Sequence, residues 1–222
     1  MRKEEAAWIG EMLAAWPKEA LEPVIELGSS THHFRTVMQP HVDATIHAPL
    51  RERGVRVVHS DLKAAEGVDV SGDFYDPRVR AALKAVGAKT VLCCNMFEHV
   101  TDRGNLAAVC DDILQPGGLL VVTVPHSYPI HLDPIDTYFR PAPEEIAALF
   151  PTYAMVSSRV VSSDTFLQEF LASPEKLGLL RNIVTGLLTP WRGRQRTLSR
   201  VHRVLWLLRP YQVAGVVLRK PG

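Results

Sequence analysis

Apolar residues in this chain follow two rhythms, and the places where they change mark its elements. Ala7, Trp8, Met12, Leu13 and Trp16 recur at helical spacing between residues 3 and 16, and Pro17 ends that run. Short apolar runs bounded by turn residues follow. They predict strands at 24–27, 55–59 (opening after Gly54), 67–73, 90–94, 119–124, 153–161 and 212–218. The run at 119–124 is β-branched and continuous, which fits a strand buried on both faces. Between the strands the periodicity returns to helical. A helix is expected over 31–38, stopped by Pro40. Another spans 76–86, with Asp76 as its cap and Pro77 in its first turn, and a third spans 102–114 and is broken by Pro116-Gly117-Gly118. The last covers 143–150 and opens on Pro143-Glu144-Glu145. Strands alternating with helices at this spacing predict an α/β fold with a mostly parallel sheet.

The 222 residues suit a single domain over 1–222 that buries a sizeable core, and 46% hydrophobic content is ordinary for a globular protein. The net charge of +1 gives no global field for nucleic acid, so no nucleic-acid partner is expected. Charge is nevertheless uneven. After Glu175 there is no Asp or Glu, while ten Lys and Arg follow. That tail is either a solvated face packed against acidic parts of the chain or a patch for an anionic substrate, head group or partner. Cys93, Cys94 and Cys110 have no metal spacing, and the first two lie in an apolar run. They read as buried thiols of a reducing, cytoplasmic compartment. The first residues lead into an amphipathic segment rather than a signal peptide, and no run of 18 uncharged apolar residues occurs.

Four segments carry the candidate chemistry. They are Val24-Ile25-Glu26-Leu27-Gly28-Ser29-Ser30, Val57-Val58-His59-Ser60-Asp61, Val91 to Val100 with its Asn95-Met96-Phe97-Glu98-His99 core, and Leu114-Gln115-Pro116-Gly117-Gly118 before the fifth strand. Each joins an apolar run to a polar or glycine turn, which is how a parallel sheet holds a nucleotide-like ligand at its carboxyl edge. Over roughly residues 20–160 the series resembles the class I, Rossmann-like S-adenosylmethionine-dependent methyltransferases. The resemblance implies a seven-stranded, mostly parallel sheet with helices on both faces and an antiparallel last strand. It also implies S-adenosylmethionine as cofactor. Glu26, Gly28, Ser29 and Ser30 would then lie at the loop that takes the methionine part, with Asp61 at the ribose hydroxyls. Asp73 would face the adenine amino group, Phe74 would pack on the ring, and Asn95 and Met96 would line the cofactor. Serines stand here where the family often has further glycines, and His32 and His33 follow them. A nicotinamide dehydrogenase fits less well, because Gly-x-Gly-x-x-Gly is missing from the first turn.

Residues 124–141 follow the fifth strand and so lie at the same edge. They combine His126, His131, Asp133, Asp136, Tyr128, Tyr138 and Arg140 with stiffening prolines, and read as part of an acceptor pocket. His126 or His131 is the expected base for the acceptor proton, with His99 third, since imidazole titrates near neutrality. His126, His131 and Asp133 also suit a metal, but no fourth partner is evident and no metal is expected. Residues 164–209 form a helical insertion before the last strand. Leu180, Ile183, Val184, Leu187 and Leu188 make one stripe, and Leu198, Val201, Val204, Leu205 and Leu208 another, with a basic turn around Trp191 between them. The insertion is expected to be a lid or a homodimer interface, or to lie on an anionic membrane. The expected function is methyl transfer to an oxygen or nitrogen of a small-molecule acceptor. Two other readings stand beside it: an inactive binding or scaffold protein, and a peripheral membrane protein acting through its basic helices.

Overall fold

The computed structural model describes residues 1–131, 135–172, 178, 181, 202 and 205–222. Seven strands form one sheet: β1 (Val24–Leu27), β2 (Val57–Asp61), β3 (Val70–Ser71), β4 (Ala88–Cys94), β5 (Leu114–Ser127), β6 (Ala154–Thr165) and β7 (Pro210–Arg219). Their spatial order is β3-β2-β1-β4-β5-β7-β6. β1 pairs in parallel with β2 and β4, β2 with β3, and β4 with β5, whereas β7 runs antiparallel between β5 and β6. The order reverses direction at β1 and β4, the switch point where open α/β sheets bind ligands.

The alternation of side chains along each central strand divides the core in two. Ile25, Val91, Leu120, Val122 and Val216 face α5 (Pro77–Ala85), α6 (Arg103–Ile113) and α7 (Pro143–Ala147), meeting Leu83, Leu106, Ile113 and Ile146. Val24, Leu92, Leu119, Val121 and Val217 face the opposite way. They meet Trp8, Ile9 and Leu13 of α1 (Lys3–Ala14), Leu21 of α2 (Lys18–Leu21), and Val42, Ile46 and Leu50 from residues 40–52. Burial on both faces explains why β4 and β5 read as continuous apolar runs.

Local signals set most helix starts. Asp76 accepts from the Arg78 amide at 2.7 Å, and Asp102 accepts from the Asn105 amide at 2.9 Å. Between α6 and the inner part of β5 the chain turns at Gly117, φ 75°, as a glycine allows at low cost. The chain departs from the expected elements at several places: α2 was not expected, and β6 runs to Thr165, past the expected start of the insertion at 164. The third strand is only Val70–Ser71. The helix after β1 ends before Pro40 as expected, with Gln39 out of helical geometry at φ −130° and ψ 63°, but a new helical run begins at once. Phe34–Met38 has π spacing, Pro40 sits at the first turn of α3 (Pro40–Val42), a second π piece covers Asp43–His47, and α4 (Ala48–Glu52) completes the run. A proline at a first helical position removes only an amide that has no helical partner, so the chain restarts there.

The insertion begins with α8 (Phe166–Ala172) and returns through Trp206 to β7. Most of the two expected leucine stripes and the turn at Trp191 lie outside the described residues, as does Asp133. No helix among the described residues is long and apolar enough to cross a membrane.

Candidate functional site

Gly28 ends β1 with φ 71°, and a Cβ added there would collide with the Met96 Sδ. Gly28 itself is exposed, and the flexible thioether of Met96 lies where its Cβ would be. Beyond it, Ser30 adopts φ 55° and its amide donates to Asp61 Oδ2 at 2.8 Å, which ties the end of β1 to the end of β2. The Lys63 amide donates to the other Asp61 oxygen at 3.1 Å. Each carboxylate oxygen keeps a further lone pair, so Asp61 can still accept from a ligand hydroxyl. Asp73 is exposed and Phe74 half-buried against the core. The Tyr75 amide donates to Asp73 Oδ1 at 2.9 Å.

Arg35 fixes this loop and was not picked out from the sequence. Its buried guanidinium donates to the carbonyls of Ser29 at 3.0 Å, Ser30 at 2.7 Å and Gly67 at 2.7 Å. Burial lowers its pKa, while Glu26 and the nearby aspartates pull the other way. Ser29 is buried, and its hydroxyl donates to the Ser30 carbonyl. An arginine one helical turn into the segment after the glycine loop was the available signal.

Glu26 is buried within β1. Its Oε2 accepts from His47 Nε2 at 3.1 Å and His59 Nδ1 at 2.8 Å, and the two rings meet edge to face at 4.9 Å. Burial alone would raise the Glu26 pKa, but the two imidazole donors outweigh it and hold the carboxyl at about 2. Asn95 has φ 53° and its amide nitrogen donates to Glu5 Oε1 at 2.7 Å, an oxygen that also accepts from Thr123 Oγ1 at 2.7 Å. Glu5 of α1, buried and unsuspected from sequence, therefore locks together the carboxyl ends of β4 and β5. Glu26 and Asn95 are thus engaged in internal hydrogen bonds, while Met96 lies against Gly28 and Asp61 is tied to the Ser30 amide.

A second cluster of polar side chains lies after β4 and β5. Glu98 is completely buried, and neither of its carboxylate oxygens has a hydrogen-bond partner. Burial pushes its carboxyl up to about 8, the reverse of Glu26. His99 Nε2 and His131 Nε2 lie 3.7 and 3.9 Å from Glu98 Oε1, and the two rings stand edge to face at 5.2 Å. The loop 135–141 clamps this corner. The Thr137 amide and hydroxyl donate to the Glu98 carbonyl at 2.8 and 3.0 Å, and Arg140 pairs with the buried Asp136 at 2.6 Å. The Asp136 carboxyl is drawn below its ordinary value: burial opposes ionisation, but Arg140 and the amides of His131 and Tyr138 prevail.

His126 lies near the end of β5. Its Nδ1 lies 2.8 Å from the Pro141 carbonyl, which can only accept, so Nδ1 carries the proton and Nε2 keeps a lone pair in the neutral ring. The returning insertion touches the same loop. The Ile130 amide donates to His202 Nδ1 at 3.0 Å, and Trp206 Nε1 donates to the Ser127 carbonyl at 3.1 Å. Of the cysteines, Cys93 and Cys110 are buried and Cys94 half-buried. All three are free thiols, and the neighbouring Cys110 thiol and burial raise the Cys93 pKa.

No family model matches the chain, and no curated protein does. Solved structures do. A SAM-dependent methyltransferase from Archaeoglobus fulgidus aligns with 99% of this chain and 95% of its own, at 12% identity and TM-score 0.52. Coclaurine N-methyltransferase bound to N-methylheliamine and SAH aligns with 94% of this chain and 71% of its own, at 13% identity and TM-score 0.55. The cyclase SpnF aligns with 97% and 80%, at 14% identity and TM-score 0.54, so one fold carries more than one chemistry. With its strand order, antiparallel β7 and glycine turn at the end of β1, the chain has the fold of the class I S-adenosylmethionine-dependent methyltransferases.

Proposed function

We propose that this protein transfers a methyl group from S-adenosylmethionine to a nucleophilic oxygen or nitrogen of a small-molecule acceptor. The observation that carries the reading is the convergence at the sheet switch point of the exposed Gly28 backbone and Asp61, joined through the Ser30 amide, beside an acceptor loop rich in histidine. The residues fit the cofactor. Gly28 allows close approach, Asp61 can accept from ribose hydroxyls, and Asp73 with Phe74 can receive an adenine ring and its amino group. Glu26, Ser29, Ser30 and Asn95 support that surface, and Met96 shares the space over Gly28.

Bound there, the cofactor supplies a sulfonium methyl that is already electrophilic, so the protein's task is alignment. The chain's own residues would hold an acceptor oxygen or nitrogen in line with that methyl and exclude water from it. The acceptor proton leaves to a base. His126 is the first candidate because its Nε2 lone pair is available, and His131 and His99 are the others. The insertion is proposed as the lid over this pocket, a role supported by the contacts of His202 and Trp206 with residues 127–130.

The test is calorimetric titration of the purified protein with S-adenosylmethionine, beside Asp61→Ala. Micromolar binding that the substitution weakens at least tenfold is expected; equal binding by both proteins would refute the placement. One observation favours a second reading, a binding protein without turnover: the Met96 thioether fills the space where a Gly28 Cβ would sit. Under that reading the folded protein would bind no cofactor, and Met96→Ala would restore binding.

A further inference from the structure

Two groups among the described residues bring three metal-ligating side chains together: Glu26 with His47 and His59, and Glu98 with His99 and His131. They differ in one respect that decides between them. Glu26 is already satisfied, because both imidazoles donate to its Oε2 at hydrogen-bond distance. Glu98 is 0% exposed and neither of its oxygens has a hydrogen-bond partner. A buried carboxyl with no donor at either oxygen is costly to leave unless something pairs with it.

We propose that Glu98, His99 and His131 form a binding site for a divalent transition-metal ion of the zinc class. The Nε2 atoms of both histidines lie within 4 Å of the same Glu98 oxygen, and the three ligand atoms all lie within 4.8 Å of one another. Small rotations close such a set to metal–ligand distances of about 2.0–2.2 Å. The far side of the His99 ring is held as metal-bound imidazoles usually are, and that of His131 faces a carboxylate. His99 Nδ1 donates to the Ile135 carbonyl, and His131 Nδ1 lies 3.5 Å from Asp136 Oδ2, whose carboxylate is anchored by Arg140. Thr137 holds the Glu98 backbone from the same loop. Two imidazoles and one carboxylate suit zinc, iron(II), cobalt(II) or manganese(II) better than magnesium, which prefers oxygen ligands and keeps its waters. Three protein ligands leave a position open for water or a substrate oxygen. Resting on the methyl-transfer reading with His126 as the base, since His99 and His131 are here ligands, that position takes a hydroxyl or carboxylate oxygen of the acceptor. It narrows the acceptor to an oxygen-bearing small molecule, and a hydroxyl bound there is more acidic than in water.

The test uses the full chain, stripped with a chelator, with no S-adenosylmethionine present. Zn²⁺ is titrated calorimetrically, and Co²⁺ is followed by its visible d–d absorption. The expected result is one ion per chain, bound at micromolar strength or tighter, with a tetrahedral-type Co²⁺ band. Glu98→Gln and His131→Gln should each weaken binding about tenfold or more, with unchanged far-ultraviolet dichroism. His126→Ala lies outside the set and should bind as the wild type does. Absence of stoichiometric binding by the folded wild type would overturn the site. So would binding that survives both Glu98→Gln and His131→Gln, or that His126→Ala weakens equally. If one ligand variant fails to fold, the other carries the test. S-adenosylmethionine titration of the stripped protein separates the two readings: cofactor binding without metal binding overturns this site alone, and metal binding without cofactor overturns the methyl-transfer reading alone.

Discussion

Replacing Glu26 with glutamine should destabilise the protein in a way that depends on pH. The Glu26 side chain is buried between His47 and His59, and their N–H groups hold its carboxyl at about 2 against an ordinary value of 4.5. At about 1.4 kcal/mol per tenfold change in proton affinity, that depression contributes roughly 3 kcal/mol to folding at neutral pH. The folded-state value lies below the unfolded one, so this stabilisation is fully present above 4.5 and is lost as the pH falls towards 2. Roughly 2.5 kcal/mol should remain at pH 4 and roughly 1.4 kcal/mol at pH 3. A glutamine side chain does not titrate, so Glu26→Gln lacks this pH dependence and should be roughly 3 kcal/mol less stable than the wild type at pH 7. For a chain of this size that is a fall in Tm of about 6–12 °C. Thermal unfolding of both proteins by circular dichroism from pH 3 to 8 measures it. A Tm gap under about 2 °C at pH 7 would refute the reasoning, as would a gap as wide at pH 3 as at pH 7.

Three other substitutions probe the site. Gly28→Ala places a Cβ against the Met96 thioether in a left-handed backbone and should abolish S-adenosylmethionine binding by calorimetry while the fold persists; undiminished binding would mean that the ligand does not use this turn. Arg35→Met leaves the Ser29, Ser30 and Gly67 carbonyls without their guanidinium, and urea denaturation should show a loss on the order of 3 kcal/mol, with less than 1 kcal/mol refuting the staple. His126→Ala should lower turnover about 10²-fold once an acceptor is in hand, with little change in cofactor binding. A rate within twofold of the wild type would remove His126 as the base.

Much of the architecture could be read from the chain because its signals are local. Asp76 and Asp102 cap their helices with their own following amides, and β4 and β5 show their burial as unbroken apolar runs. The turn at Gly117 carries its positive φ in its residue type. The stretch after β1 was less legible, because Pro40 both follows the end of one helical run and begins the next, and the second run is held by the packing of Val42 and Ile46 under the sheet. The surface around Gly28, Asp61 and Asp73 followed from the order of strands and turns, since each residue sits at the carboxyl end of a strand or just beyond one.

The sequence by itself determined the element types, the capping, the sheet class and which turns reach its carboxyl edge, because periodicity and backbone hydrogen bonding act over a few residues. Only the tertiary structure decided what those polar side chains meet. Glu26 and Glu98 both follow apolar runs, yet one is held at about 2 by His47 and His59 and the other is pushed to about 8. Arg35 and Glu5 became structural clamps only when the fold brought distant carbonyls and strand ends to them. A carboxylate's charge depends on the donors and the solvent within a few ångströms of it. In a parallel sheet those neighbours come from crossovers tens of residues away, and no local pattern records them.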